Sequence, residues 1–433
     1  MDPRPYLRLF ARNHDFGRVY AAQLVSFAGD WFATVALLGL CLQVTDSSAV
    51  ASLVLVLQTG PFFLVSPFAG MLADRLDRRR LLIVADLARI PVCLSFLLAR
   101  DASTLWIALA GTALLSVGAA FFEPTSSASL PNLVDREDLP IANALSGAAW
   151  GTMVAIGASL GGLVTAFLGR DAAFLMDALS FAISAALIWG VRRSFREART
   201  SGVAHEVAPL GLGGLRVAIA QTIELARRSH VVAALLVTKT TFGAGMGVLV
   251  LLAVFGRDVF KGGDVGIGLL FAARGLGALI GPFAARTFAA DDDRRMIKAI
   301  AVALVVFICG YGLLPLAPSI ALGALCVFAA HLGGGAQWML SSYGLQRSVP
   351  DRIRGRVLSF DYAAVTLTTT VSTLVAGALA VTVGPVATLY VMMALVALSG
   401  GAWLVWTRPL RRVPPAQRGA AAQAAAPPRT LDS

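Results

Sequence analysis

The stretch RVYAAQLVSFAGDWFATVALLGLCLQ at residues 18–43 decides the fold class, because after its first position it contains a single charged residue, Asp30. A helix needs roughly 20 mostly apolar residues to cross the hydrocarbon core of a bilayer. Windows of this kind recur along the whole chain. They predict twelve transmembrane helices, at 18–43, 49–72, 81–99, 104–127, 141–168, 172–191, 230–255, 266–288, 296–316, 319–341, 357–382 and 385–407. The sequence therefore predicts an all-α membrane protein.

Composition and charge support a membrane location. Hydrophobic residues make up 57% of the 433 residues, charged residues only 14%, and the mean hydropathy is +0.75. A soluble domain of this composition could not cover its surface with polar groups. The net charge of +11 comes from basic residues, nearly all arginine, that cluster in alternate loops. The positive-inside rule assigns such loops to the cytoplasm. We therefore expect both termini in the cytoplasm, a bacterial inner membrane, and no nucleic-acid binding.

Two segments of the first half have counterparts in the second half. GMLADRL at 70–76 corresponds to GPFAART at 281–287, and GAAFFEPTSSASLPNLV from Gly118 corresponds to GGAQWMLSSYGLQRSVP from Gly334. Internal repeats are typical of transporters built from two bundles around a central site. We predict two pseudo-symmetric six-helix bundles. The predicted regions are an N-terminal bundle at 1–191, a cytoplasmic linker with an amphipathic helix at 192–229, a C-terminal bundle at 230–408 and a disordered tail at 409–433.

Motifs of enzymes and metal sites are missing from the sequence. It has no Walker loop, GxSxG, HExxH or CxxC, and the four cysteines, Cys41, Cys93, Cys309 and Cys326, lack metal-ligand spacing. We therefore predict a protein that is not an enzyme and needs no metal or cofactor, so any transport must draw its energy from an ion gradient. The expected partners are a small-molecule substrate, protons and the lipid bilayer, and we expect a monomer.

The stretch GMLADRLDRRRL at 70–81 resembles the loop between the second and third helices of the major facilitator superfamily. The resemblance implies that a cytoplasmic gate motif latches the two halves together on that side. The residues that match this motif are Gly70, Asp74, Arg75, Arg78 and Arg79. Asp77 stands where the family usually has a second glycine. The alternative is that these are ordinary positive-inside arginines.

Further motifs resemble the drug:proton antiporter branch of this superfamily, which includes macrolide-efflux and enterobactin-exporter-like proteins. They are SFAGDW at 26–31, FFEPTSSASLPNLV at 121–134, GASLGG at 157–162 and QRSVPDRIRGRV at 346–357. In GASLGG, Gly157, Gly161 and Gly162 are similar to the antiporter glycines, although the customary proline is missing. The resemblance covers about 10–408 and implies proton-coupled efflux of a small amphipathic molecule by alternating access. The alternatives are a proton-coupled nutrient importer and a non-transporting receptor or scaffold.

Three ionisable residues are candidates for proton coupling. Asp30 lies near the predicted bilayer midplane in the first helix and Lys239 at a similar depth in the seventh, and ionisable groups at such depths are costly unless they function. We predict that the two face each other across the halves and that protonation of Asp30 breaks the pair. The alternative is a permanent salt bridge. His331, in the tenth helix, suits proton handling or is a hydrogen-bonded packing residue.

The other candidates are a charge network and a cavity wall. We predict that Asp86, Arg89 and Glu123 form a fixed charge network, with a proton path as the alternative. Asp177 and Asp361 are interpreted as anchors of helix ends, and Arg274 as a group that attracts an anionic substrate or pairs with Asp361. Aromatic and polar residues suit the wall of a substrate cavity, although aromatic residues also commonly face lipid. The predicted lining of the substrate cavity is Trp31, Phe121, Phe122, Arg274, Gln337 and Trp338.

Overall fold

The computed structural model describes residues 4–135, 138–193, 195, 212–289, 292–349 and 351–412. Within these residues the chain forms helices without strands, and twelve helices are long and apolar enough to cross a membrane. The twelve predicted helices and the fold class are therefore confirmed. In chain order they are α1 His14–Thr45, α2 Ser48–Arg75, α3 Arg78–Ser95, α4 Leu105–Leu133, α5 Leu139–Leu168, α6 Arg170–Trp189, α7 His230–Val259, α8 Gly263–Ala289, α9 Asp293–Leu313, α10 Ile320–Ser348, α11 Asp351–Val383 and α12 Pro385–Trp406.

The helices form two bundles, α1–α6 and α7–α12, with the same pattern of neighbours. In the first bundle α1 packs on α5 and α6, and α4 packs on α2 and α3. In the second bundle α7 packs on α11 and α12, and α10 packs on α8 and α9. Adding six to each helix number of the first bundle thus gives the contacts of the second. The two bundles meet along α5–α8 and α2–α11, which are themselves equivalent under this relation.

Three short helices lie outside the bundles. The helix Arg4–Arg12 precedes α1, and Arg408–Arg412 follows α12. The helix Leu212–Arg228 lies in the linker and contacts α7 and α11. Of the tail predicted at 409–433, residues 409–412 belong to the helix Arg408–Arg412 and residues 413–433 lie outside the described residues. The predicted region boundaries remain predictions.

Helix α7 is interrupted in its middle, and α11 holds the interruption. A regular segment His230–Gly245 is followed by Val248–Val254 and then by a π-helical turn, Phe255–Val259. The backbone N–H of Gly247 donates to Ser372 Oγ at 2.9 Å, and the same hydroxyl donates to the carbonyl of Ala244 at 2.5 Å. One serine of α11 therefore satisfies backbone groups on both sides of the break, which holds the first segment of α7 in position.

Candidate functional site

The two bundles are closed against each other at the end away from the chain termini. Arg170, at the start of α6, donates to Asp264 of α8 at 3.3 Å and also binds Gln43 of α1. Ser48 of α2 donates to the carbonyl of Gly377 in α11 at 3.0 Å. A shared apolar cluster that includes buried residues of 32–42 and 248–255 fills the space between these contacts. These contacts leave no open path between the two bundles at this end of the molecule.

Glycines bring α5 close to helices of both bundles. A Cβ atom at Gly161 would lie 2.9 Å from the Cα of Phe32 in α1, and one at Gly157 would lie 3.0 Å from Trp31 Cβ. A Cβ atom at Gly162 would lie 2.9 Å from the carbonyl oxygen of Asp264 in α8. All three predicted antiporter-like glycines therefore lie where backbones approach too closely for a larger side chain.

Asp86 and Arg89 form a buried ion pair in the N-terminal bundle. Arg89 binds Asp86, and Ser184 of α6 donates to the other carboxylate oxygen at 2.6 Å. The guanidinium also lies 4.0 Å from the ring centroid of Phe181 and 5.2 Å from that of Phe122. Both charged residues are at most 2% exposed. This arrangement resembles the predicted fixed network, but it does not include Glu123.

Glu123 of α4 interacts with charged and polar groups of both bundles. Within the described part of the chain its carboxylate forms no ion pair, but it interacts electrostatically with Asp30 and Arg89 of its own bundle and with Tyr362 of α11. Glu123 thus stands outside the Asp86–Arg89 ion pair, and its expected place in a charge network with these two residues remains a prediction. The Arg89 guanidinium binds Asp86 and donates to the carbonyl of Ala85 at 3.3 Å, while the two phenyl rings cover its faces.

Asp30 has an acidic neighbour that the sequence analysis assigned to a helix end. The carboxylate of Asp177 lies against the backbone of Gly29, where a Cβ atom would be 2.6 Å from its Oδ1. Asp177 is fully buried, accepts a hydrogen bond from the Cys93 thiol at 3.1 Å, and has Ser180 beside it. Among the described residues neither Asp30 nor Asp177 has a cation within ion-pair distance. The two carboxyl groups therefore interact with each other, and the positive charge of Arg89 acts on both from beyond ion-pair distance.

Lys239 pairs with Asp361 and not with Asp30. Its ammonium group binds the Asp361 carboxylate and lies 4.9 Å from the ring centroid of Trp338. Lys239 is 4% exposed and Asp361 2%. The expected pair across the two bundles is thus replaced by a pair inside the C-terminal bundle. The physical reason is that α7 packs along α11, so that the lysine reaches a carboxylate on its nearest neighbour. Asp361 is likewise no helix-end anchor and does not pair with Arg274.

Arg274 connects the C-terminal bundle with α1. Its guanidinium lies 5.9 Å from the ring centroid of Trp31, the residue after Asp30, and the rings of Trp31 and Phe271 are tilted against each other with centroids 5.5 Å apart. Arg274 also interacts electrostatically with Tyr311 and His331. Tyr311 Oη and His331 Nε2 are 2.8 Å apart and both residues are buried, which is the hydrogen-bonded packing arrangement considered for His331.

Three of the predicted cavity residues lie elsewhere or are covered. Phe122 is 2% exposed and, with Phe121 packed beside it, belongs to an apolar cluster of the N-terminal bundle. Gln337 is also 2% exposed and donates to the carbonyl of Thr238 at 2.9 Å. In contrast, Trp338 and Tyr362 are partly exposed, with ring centroids 6.3 Å apart. The sequence analysis missed Tyr362, because an isolated tyrosine carries no signal of the face it occupies.

The predicted gate motif is described only in part. Helix α2 continues to Arg75, but the side chains of Gly70, Asp74 and Arg75 lie outside the described residues. Asp77 accepts a hydrogen bond from the backbone N–H of Arg80 at 2.8 Å and so caps the start of α3. Arg78 donates to the carbonyl of Phe195, and Arg79 binds the carbonyl of Trp189. The latch between the bundles remains a prediction.

Comparison with known proteins gives the family. A family model described as "Transmembrane secretion effector", a branch of the major facilitator superfamily, matches residues 10–429. The chain belongs to this family. It is a transporter and not an enzyme, and it is a multi-pass membrane protein. Transporters of this superfamily bind small-molecule substrates within the membrane.

The transporter is similar to curated bacterial proteins. It is 28% identical over 390 residues to an uncharacterized MFS-type transporter of Mycobacterium tuberculosis, covering 84% of this chain and 85% of the relative. It is 24% identical over 353 residues to the putative bacilysin exporter BacE of Bacillus subtilis, covering 80% and 83%. A shorter match, 29% over 126 residues, covers 29% of this chain and 31% of macrolide efflux protein A of Streptococcus pyogenes.

Solved structures share the fold of this transporter. A POT family transporter in complex with a thioalcohol-conjugated peptide matches with a TM-score of 0.71 and 11% identity, over 92% of this chain and 96% of that chain. A bacterial homologue of the human lysosomal transporter Spinster, in an inward-facing and unoccupied conformation, matches with a TM-score of 0.65 and 14% identity, over 95% and 96%. At these identities the likeness concerns the fold alone.

Proposed function

We propose that this transporter exports a small amphipathic molecule in exchange for protons and that Asp30 carries a coupling proton. The observation that carries the proposal is the excess of carboxyl groups in the N-terminal bundle. In the described residues one buried cation, Arg89, interacts with four acids, Asp30, Asp86, Glu123 and Asp177, and Asp86 is the acid that binds it. A buried carboxylate without a counter-ion is costly, and taking up a proton removes that cost.

Asp177 belongs to the same coupling site in this proposal. Its carboxyl group contacts the thiol of Cys93, the Ser180 hydroxyl and the Gly29 backbone, none of which carries a positive charge. Two adjacent carboxyl groups hold one proton more readily than two separate ones, because ionising both places like charges side by side. Asp30 and Asp177 together therefore give the N-terminal bundle a place to take up and release protons during transport.

The contact between Trp31 and Arg274 supplies a route from the proton to the opposite bundle. Trp31 follows Asp30 on α1, and its ring faces the guanidinium of Arg274. Protonation of Asp30 removes a negative charge near this contact and so changes the attraction between the bundles. This replaces the expected switch through an Asp30 and Lys239 pair. The Lys239 and Asp361 pair instead holds α7 to α11 within one bundle.

The direction, location and substrate of transport are also proposals. Export is supported by the printed names of the relatives, which include a bacilysin exporter and a macrolide efflux protein. The partly exposed Trp338 and Tyr362, opposite the carboxylate of Glu123, suit a molecule with an apolar body and polar groups. From the arginine distribution we propose a bacterial inner membrane with both termini in the cytoplasm, and a monomer as the working unit.

The test compares Asp30→Asn with Asp46→Asn in an efflux-deficient bacterium and in proteoliposomes. Asp46 is exposed at the end of the same helix, and its left-handed backbone (φ 49°) tolerates asparagine, so the control makes the same chemical change outside the site. We expect wild type and Asp46→Asn to lower the accumulation of at least one macrolide, dye or peptide antibiotic when a pH gradient is present.

Asp30→Asn or a protonophore should reduce that efflux at least about tenfold, while exchange of labelled for unlabelled substrate without a gradient continues, because exchange needs no net proton movement. Unchanged gradient-driven efflux in Asp30→Asn would remove Asp30 from the coupling step. Accumulation that rises on expression of the wild type would show import.

A further inference from the structure

A groove on the outer face of the C-terminal bundle is separate from the proposed coupling site. It lies between α7 and α12 and has a volume of about 440 Å³. One wall is a helical stripe on α7, Val237, Thr240, Thr241 and Ala244, and the other is a stripe on α12, Ser399, Ala402, Trp403 and Trp406. The small side chains of Ala244, Ser399 and Ala402 in this lining leave the space that larger side chains would fill. Sites for small ligands have volumes of roughly 300–1,000 Å³.

The lining of this groove favours an apolar occupant. The hydroxyl groups of Thr240 and Thr241 both donate to the carbonyl of Val237, at 2.9 and 3.0 Å, and that of Ser399 donates to Leu395 at 2.8 Å. Their hydrogen atoms are therefore used within their own helices, and the walls present mainly carbon atoms to an occupant. Trp403 forms the floor, and its indole N–H donates to the carbonyl of Ala234 at 2.8 Å, which ties α12 to α7.

The end of the groove nearest the chain termini is basic. The ring of Trp406 packs on that of His230 with centroids 4.8 Å apart. The Nε2 atom of His230 is buried and has no hydrogen-bond partner in the described part of the chain. Arg408 follows α12 directly and is exposed, and Arg227 is exposed just before α7. An apolar channel with a basic mouth at the membrane surface matches a molecule with an apolar chain and an anionic head.

We propose that the groove holds one acyl chain of an anionic phospholipid, whose phosphate group binds His230 and Arg408. The chain lies along the stripes of α7 and α12, and the phosphate supplies the partner that His230 Nε2 lacks. The lipid would thereby support the first segment of α7, which carries Lys239 on its inner side. This inference does not depend on the direction of transport or on proton coupling.

The experiment counts lipids that stay bound to the full chain by native mass spectrometry. Protein in mild detergent is mixed with equal amounts of dioleoylphosphatidylglycerol and dioleoylphosphatidylcholine. Ser399→Phe and, separately, Ala402→Leu fill the groove, and Leu398→Phe is the matched control, because Leu398 is 74% exposed on the same helix outside the groove. His230→Gln with Arg408→Gln removes the basic mouth, with Arg216→Gln as the control for an exposed arginine of the linker helix.

We expect wild type to retain one phosphatidylglycerol with roughly tenfold preference over phosphatidylcholine. Both groove-filling variants should lose that lipid, and the His230→Gln, Arg408→Gln variant should keep one lipid but lose the preference for phosphatidylglycerol. Equal retention of the two lipids by wild type would overturn the proposal, and so would Ser399→Phe and Ala402→Leu variants that retain as much lipid as Leu398→Phe. Displacement of the lipid by an exported compound would make the groove a substrate site and would also overturn it.

Discussion

The two bundles have the same helix arrangement but opposite buried charge. The N-terminal bundle surrounds Arg89 with four carboxyl groups. In the described part of the C-terminal bundle one carboxylate, Asp361, is buried and pairs with Lys239, and the bundle also buries Arg274 and His331. Internal symmetry has thus preserved the packing of backbones while the chemistry of the two halves diverged. This difference supports the proposal that protons bind in the first bundle, whereas the second bundle has buried cations and exposed aromatic rings.

The largest effect should come from breaking the ion pair of the C-terminal bundle. Asp361→Asn leaves the Lys239 ammonium group buried without a carboxylate, and such a loss costs roughly 3–5 kcal/mol. Asp361→Asn combined with Lys239→Met removes both charges and should recover most of that loss. The measurement is the free energy of unfolding in detergent micelles. A single variant as stable as the wild type would mean that Lys239 has another partner.

A smaller effect on stability is expected for Asp177→Asn in the N-terminal bundle. If Asp177 is held as the neutral acid, an asparagine of similar shape still accepts the hydrogen bond of Cys93, and the loss should stay below about 1 kcal/mol. Gradient-driven efflux should nevertheless fall at least about tenfold, with exchange retained. Asp86→Asn is the contrasting control, because it strands Arg89 and should cost several times more in stability. Equal losses in the two variants would contradict a neutral Asp177.

The smallest effect should come from Arg170, which contacts both bundles. Arg170→Gln weakens the partly exposed pair with Asp264, a change of about 1 kcal/mol or less. It should favour conformations that separate the bundles at the end away from the termini. Spin labels at Ser103 and Lys261, in a background with the native cysteines replaced by serine, would report this as a larger population of long distances. Arg100→Gln, which breaks an exposed pair inside one bundle, should leave the distances unchanged.

The fold could be predicted because apolar length is a property of the sequence alone. Each of the twelve windows corresponds to a spanning helix, although α4 and α10 continue beyond the predicted ends to Leu133 and Ser348. A helix leaves the hydrocarbon core without having to end, because its backbone hydrogen bonds are satisfied internally in water as well as in lipid. Hydropathy therefore gives the position of a span better than the length of its helix.

The candidate residues could be predicted as a set, but their pairing could not. Depth along a helix placed Lys239 level with Asp30, whereas the rotation of α7 and its packing on α11 direct the ammonium group to Asp361. Asp177 was interpreted as an anchor because its contact with Gly29 depends on how α6 crosses α1. Phe122 was expected in the cavity, and its rotation into the N-terminal cluster follows from the face of α4 that meets α3. The rotation of a helix about its axis and the angle at which it crosses a neighbour are hard to predict from a single sequence.

The two equivalent seams between the bundles differ in what joins them. Along α2–α11 hydroxyl groups take part, such as Thr59 Oγ1 and Thr370 Oγ1, which are 3.3 Å apart. Along α5–α8 glycine backbones meet directly, and a Cβ atom at Gly162 would lie 3.2 Å from the Cα of Gly268. The atoms that meet at Gly162 and Gly268 belong to the backbone and do not titrate, so we expect pH to leave this contact unchanged while the bundles move. The bundles can rotate about this contact. A single added methyl group there should therefore slow turnover without changing substrate binding.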